Sequence, residues 1–266
     1  MALPDIQQTS DTRGVALQHA GIRNIEVPLT FKRQGGRYIT VPVLASLSVG
    51  LSADVKGANM SRFVSFLSDL SQKDFIELNA SQHLNEIKEL LGSDSAYMSF
   101  SFKHFIDKKA PITGTSAPMS FTCRLEGSID TDSEKCFSKF NVEIPVGNLC
   151  PCSKAISEYG AHNQRSILNV TIDTPVESTI TAEWINTLIG TVEEASSCPV
   201  YPVLKREDEK FVTEQQFENP KFVEDMVRDA AVRLKDFPLA RGFVVEAEAL
   251  ESIHAHNAWA SVNIKS

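Results

Sequence analysis

The hydrophobic pattern of this chain runs through one order of elements twice, and that repetition limits the possible folds more than any other feature. Period-two alternation marks strands at residues 22–30 and 38–48, with Gly35 and Gly36 in the turn between them. Helical periodicity follows at residues 61–70, where Phe63, Phe66, Leu67 and Leu70 share a face, and at 82–91, which stops at Gly92. Alternation returns at residues 96–106 and 119–129. The second half repeats the order: strands at 137–146 and 167–173, a helix at 182–195 with Thr181 as its cap, and a helix at 220–235. In that last helix Asn219 is the expected cap, Pro220 takes the first position, and Phe222, Val223, Met226, Val227, Ala230 and Leu234 form the stripe. Strands at 242–250 and 257–264 complete the set. The repeat is one of pattern; identity between the halves is not evident.

This order predicts an α+β fold of two ββααββ modules, residues 1–131 and 132–266, each an antiparallel sheet with helices on one face. Such sheets have open edges, which closure against other copies into a barrel would remove. An obligate homo-oligomer with sites where sheets meet is therefore expected. At 266 residues with 42% hydrophobic content, the chain can bury a sizeable core without staples. A net charge of −8 makes it a poor partner for a nucleic-acid backbone, so an anionic ligand needs a local basic cluster. Five cysteines, an odd number, argue against a disulfide framework. The absence of a secretory-type start and of any membrane-length apolar run predicts a cytoplasmic protein without a membrane partner.

Chemistry-bearing residues fall in four clusters. Cys150-Pro151-Cys152-Ser153-Lys154 precedes Gly160-Ala161-His162-Asn163-Gln164-Arg165, with Cys150 twelve residues ahead of His162. Lys205 and Arg206 lead into Glu207-Asp208-Glu209, in an expected connection between helices. Glu251, His254 and His256 lie between the last two strands. A cation beside a thiol favours thiolate. One thiolate with imidazoles and carboxylates can hold a divalent ion and still supply an acid or base, which points to metal-assisted hydrolysis. Paired zinc knuckles are absent. Cys123, Cys136 and Cys198 read as packing residues, and His19, His83 and His104 as ordinary ones.

These motifs, in this order and spread over about a hundred residues, closely resemble type IB GTP cyclohydrolase I, the prokaryotic form that tolerates several metals. The resemblance covers nearly the whole chain. It implies the tunnelling fold, a homotetramer with inter-subunit active sites, and hydrolysis of GTP to formate and 7,8-dihydroneopterin triphosphate, the entry step of folate and pterin synthesis. It further implies one divalent ion per site (Mn²⁺, Fe²⁺ or Zn²⁺) and no organic cofactor. Carried over by residue, Cys150, His162, Glu209 and His254 resemble the metal ligands. Cys150, His162 and Glu251 resemble the catalytic groups, and Glu224 the carboxylate that anchors guanine. Cys152 competes with Cys150, and Glu207 and Asp208 with Glu209. Lys154, Arg165, Lys205 and Arg206 are triphosphate candidates by proximity in sequence. Two rivals remain: the tunnelling-fold nitrile reductase, which uses a covalent cysteine and NADPH, and a non-catalytic metal-binding oligomer.

Overall fold

Alternating burial along the long strands sets the architecture. In the computed structural model, which describes residues 7, 9–130 and 135–265, the strands are β1 (Leu17–Lys32), β2 (Tyr38–Leu51), β3 (Leu78–Asn79), β4 (Ser95–Lys109), β5 (Ser116–Asp130), β6 (Lys135–Leu149), β7 (Asn163–Thr174), β8 (Thr179–Ile180), β9 (Cys198–Pro199), β10 (Gly242–Ala249) and β11 (Ala258–Ile264). The helices are α1 (Met60–Ser71), α2 (Ala80–Leu91), α3 (Pro151–Ile156), α4 (Ala182–Glu193), α5 (Arg206–Glu218) and α6 (Val223–Leu234). The class is α+β with antiparallel pairing in every strand pair whose register is given below. The expected module boundary between residues 131 and 132 lies outside the described residues. Among the described residues no helix is long and apolar enough to cross a membrane.

The chain divides into two compact units, and β4, β5 and β6 contribute to both. One unit comprises Met1–Lys103, Arg124–Phe140 and Thr174–Ala182. Its strands follow the order β1-β2-β4-β5-β6, with β1 and β2 in register from Ile25↔Ala45 to Lys32↔Tyr38 and β2 against β4 from Val43↔Phe102 to Val49↔Ala96. Leu29, Val43, Ala45, Leu47, Met98 and Phe100 are buried on one sheet face, against Phe63, Leu67 and Leu70 of α1 and Leu84 and Ile87 of α2. Each such large side chain contributes roughly 1.5–3 kcal/mol by leaving water. Asn79 caps α2, its side chain accepting from Gln82 N at 3.0 Å, and Gly92 ends the helix at φ 64°. A side chain with a Cβ is disfavoured in that left-handed conformation.

The other unit comprises His104–Cys123, Asn141–Asp173 and Glu183–Ser266. Its strands follow β4-β5-β6-β7-β10-β11, with β9 beside β6. Val142, Ile144 and Val146 of β6, Leu168, Val170 and Ile172 of β7, and Val245, Ala247 and Ala249 of β10 face Ile185, Leu188, Ile189 and Val192 of α4 and Met226, Ala230 and Leu234 of α6. Period two in the strands and 3.6 in the helices produces this single dry layer. The opposite sheet face is polar: Asn141 Nδ2 donates to Asn169 Oδ1 at 2.7 Å, and Asn169 Nδ2 to Glu246 Oε2 at 3.1 Å.

Two local expectations change. The expected helix over 220–235 starts at Val223 instead, with Phe222 as its N-cap, whose N–H donates to Asp225 Oδ2 at 3.0 Å. Asn219 belongs to the preceding helix: it is the C-cap of α5, and its Nδ2 donates to Ser196 O and Ser197 O at 3.0 and 3.2 Å. The acidic run expected in a connection is the first turn of α5.

Candidate active site

The end of β6 places the thiol. Leu149 is buried, and its N–H donates to Ser197 Oγ at 3.2 Å. The chain then turns into α3 with Cys150 as N-cap and Pro151 inside the first turn, where a missing N–H costs nothing. Cys150 Sγ accepts from Ser153 N at 3.5 Å. The loop that follows is tied shut: Cys150 N donates to His162 O at 3.1 Å, and Ser153 Oγ donates to Cys150 O at 3.0 Å and accepts from His162 N at 3.2 Å. Twelve residues of sequence separate the thiol from the imidazole, and the backbone closes that interval.

Register places the carboxylate. β7 and β10 pair down to Ser166↔Ala249. The ladder runs on through Leu250 N to Arg165 O at 3.0 Å, which sets Gln164 opposite Glu251. Gln164 Nε2 donates to Glu251 Oε1 at 3.5 Å, and Gln164 Oε1 lies 2.9 Å from His162 Nδ1. Ser252 Oγ is 3.4 Å from the same ring nitrogen. Glu251 Oε2 is 4.0 Å from His162 Nδ1, with the side chains of His162 and Glu251 14% and 11% exposed. That oxygen is buried and has no hydrogen-bond partner among the described residues.

A cavity of about 330 Å³ opens here, lined by Asn148, Cys150, Gln164, Lys221, Phe222, Val223, Glu224, Glu251, Ala258 and Trp259. Part of its lining is the start of α6, where Glu224 sits exposed in the first turn, a position the helix dipole favours for a negative charge. Asn148 links the walls: its Oδ1 accepts from Ser166 Oγ at 2.6 Å and its Nδ2 donates to Lys221 O at 3.4 Å. Lys221 is tied down, Nζ donating to Asp229 Oδ2 at 2.6 Å. Trp259 presents an indole 60% exposed at the rim.

The structure thus gathers Cys150, Glu251 and Glu224 around one cavity, with His162 behind its lining, beside Glu251. Cys152 is exposed and does not line it. Neither do Glu209, exposed in the first turn of α5, nor His254, exposed and stacked on His256 at 5.2 Å. Glu207 is exposed as well, while Asp208 is buried and accepts from the backbone of Ile112 and Thr113 at 2.9 Å, a structural clasp. Of the phosphate candidates, Arg165, Lys205 and Arg206 are exposed. Lys154 Nζ donates to Phe217 O and lies 4.3 Å over the Phe217 ring. Of the cysteines read as packing, Cys123 and Cys198 are buried, and burial pushes the Cys198 thiol up to about 11. Cys136 is exposed, because it sits near the start of β6, outside the covered face. Sequence reasoning gave no site role to Asn148, Gln164 or Trp259, and it put Phe222 in a buried stripe, whereas Phe222 precedes α6 and lines the cavity; the only signal for Gln164 was its place two residues after His162.

Whether a divalent ion suits this set is answered by donor type and burial. Thiol, imidazole and a carboxylate with a buried, unpartnered oxygen are the ligand types such an ion takes. Among the described residues of one chain, no three His, Cys, Asp or Glu side chains converge enough to hold the ion alone. The fit is that of a partial shell.

An antiparallel α+β fold carrying a thiol and carboxylates at one cavity, with an imidazole beside one of them, defines a class of enzyme-like chain, and comparison with known proteins narrows it. Among solved structures, uricase from Arthrobacter globiformis superposes with a TM-score of 0.53 at 6% identity, covering 94% of this chain and 93% of that one. Urate oxidase from Bacillus sp. TB-90 gives 0.54 at 10% identity, covering 94% and 100%. Identity this low shows the fold alone, that of the uricase-like tunnelling-fold proteins. The family model described as type I GTP cyclohydrolase folE2 matches residues 3–260. GTP cyclohydrolase FolE2 of Geobacter sp. (strain M21) is 40% identical over 264 residues, 98% of this chain and 94% of that protein. The same enzyme of Dictyoglomus turgidum is 39% identical over 261 residues, covering 98% and 97%. The chain belongs to the type I GTP cyclohydrolase folE2 family.

Proposed function

We propose that this chain is a GTP cyclohydrolase I of the type IB form, converting GTP and water to formate and 7,8-dihydroneopterin triphosphate. The observation that carries the reading is the cavity itself. Cys150, Glu251 and Glu224, the last at the start of α6, line it together, with His162 against Glu251. A carboxylate there matches the N1–H and 2-amino donors of guanine with two parallel hydrogen bonds. That pose carries the imidazole portion of the base toward Cys150, His162 and Glu251. Glu251 takes the proton of the attacking water and returns it to the departing ring nitrogen, beside His162. A divalent ion, Mn²⁺, Fe²⁺ or Zn²⁺, would supply the Lewis acidity that makes water a better nucleophile toward C8. Cys150 and His162 would hold it from this chain. Exposed Glu209 and His254 remain the proposed completing ligands, in sites shared between copies of a homotetramer whose sheets close into a barrel. Within that assembly residues 1–131 and 132–266 are the two modules. Lys154, Arg165, Lys205 and Arg206 are the proposed triphosphate contacts, and no organic cofactor takes part. Five free cysteines suit a cytoplasmic enzyme.

The test is to strip the protein of metal, restore Mn²⁺, Fe²⁺ or Zn²⁺ singly, add GTP, and measure formate and a pterin that fluoresces after oxidation. Turnover is expected with Mn²⁺ or Fe²⁺ at least equal to that with Zn²⁺, because a single thiolate with carboxylate and imidazole suits harder ions. Cys150→Ala should be inactive and Cys152→Ala active. NADPH consumption without formate would replace this reading with the nitrile reductase one.

A further inference from the structure

Gln164 touches both His162 and Glu251, and its own chemistry decides which ring nitrogen of His162 carries the proton. A glutamine amide has one end that only accepts and one that only donates. A carboxylate only accepts, so the amide nitrogen must face Glu251, as it does at 3.5 Å. The amide oxygen is thereby turned toward His162 Nδ1 at 2.9 Å. Because that oxygen cannot donate, the contact is a hydrogen bond only when Nδ1 bears the proton. Nε2 of the neutral ring is then left with a bare lone pair. Ser252 Oγ, 3.4 Å from Nδ1, donates to Gln164 Oε1 at 3.5 Å and, able to accept as well, is compatible with a proton on Nδ1. Free histidine in water prefers the other tautomer, so the protein has to impose this one. The register of β7 against β10, which sets residue 164 opposite residue 251, keeps the amide in place.

We propose that Gln164 is a positioning residue that fixes His162 in the Nδ1–H tautomer, leaving Nε2 free to accept a proton or to bind a divalent cation. The proposal rests on the role given to His162 above. Ligating and proton-shuttling histidines are commonly oriented by a hydrogen bond from the other ring nitrogen.

The experiment labels histidine selectively with ¹⁵N in the intact, metal-free protein without GTP. Long-range proton–nitrogen correlations are recorded at about pH 8.5, roughly two units above the ordinary imidazole value of 6.5. The signals of His162 are identified by their loss in His162→Gln. In the wild type, His162 should show a protonated Nδ1 and a bare Nε2. Gln164→Leu should move the ring toward the Nε2–H form, whereas Gln164→Glu, which keeps an accepting oxygen, should retain Nδ1–H. Metal titration should show Gln164→Leu binding Mn²⁺ about ten- to a hundredfold more weakly, with Gln164→Glu closer to wild type. A wild-type ring protonated on Nε2 overturns the proposal, as does a Gln164→Leu protein that keeps Nδ1–H. The wild-type spectrum is decisive even if Gln164→Leu does not fold. The tautomer is read without substrate or metal, so its failure is separable from a failure to turn over GTP.

Discussion

Glu224 and Glu251 are two carboxylates on one cavity in opposite surroundings. Glu251 has a buried oxygen without a hydrogen-bond partner among the described residues and lies beside an imidazole; Glu224 is exposed at a helix start. The first suits proton transfer or ligation, the second recognition of donors on a ligand. Glu224→Gln should therefore fold as the wild type does. Its kcat/KM for GTP should fall by roughly ten- to a hundred-and-fifty-fold, since hydrogen bonds to a charged group are worth about 1.5–3 kcal/mol. Steady-state kinetics check this, and wild-type values would remove Glu224 from guanine recognition. At this scale, Cys150, His162 and Glu251 stood out as candidates because reactive residue types cluster along the chain, and the structure brings them near one another. Glu224 was not readable from physics: a glutamate in a first helical turn is ordinary, and only the resemblance singled it out. Gln164 and Trp259 were missed because amides and aromatics carry no signal until their neighbours are known.

Helix α5 shows why one element escaped the periodicity. Its buried residues are Asp208 and Gln216, both polar, while Phe211 and Phe217 are more than a third exposed. A helix held by hydrogen bonds has no apolar stripe to find. Gln216 Oε1 accepts from Asn163 Nδ2 at 2.8 Å, beside the site. Asp208 secures the other end of the helix. Burial works against its charge, but the N–H groups of Thr113, Lys205 and Ile112 and the Thr113 hydroxyl outweigh it and hold the carboxyl below the usual carboxylate range. The unfolded group takes up its proton near the ordinary value of about 3.9. The stability that Asp208 supplies is thus full above that pH and is lost as pH falls toward the lower folded value. Asp208→Asn should lower the urea midpoint at about pH 7, and the gap to wild type should narrow near about pH 3. An equal gap at both pH values would show that the charge of Asp208 does not matter. The long strands β1, β2, β4, β5, β6, β7, β10 and β11 and the amphipathic helices α1, α2, α4 and α6, by contrast, were legible in place if not in their exact ends, because each buries one apolar face, whereas the two-residue strands β3, β8 and β9 are too short to show a period.

At the scale of the molecule, among the described residues β1 pairs with β2 and adds a single bridge from Phe31 to Ile76, and β11 pairs with β10, so each unit ends in a strand whose outer side is largely open. Trp259 and Ile264 on β11 and Leu17 on β1 are exposed apolar residues on those strands. Open edges and exposed apolar groups favour association. Light scattering should give a mass near four times the 29.3 kDa of one chain, and activity should fall on dilution to the monomer. A monomer that keeps full activity would defeat shared sites. The element order and the α+β class were written in the sequence, because periodicity and turn residues act over short range and survive in a linear reading. The site was written there only as a list of reactive types. Which thiol faces the cavity, which acidic residue is a clasp, and which amide sets a histidine's proton depended on strand register and loop closure, contacts between residues tens of positions apart that no local pattern encodes.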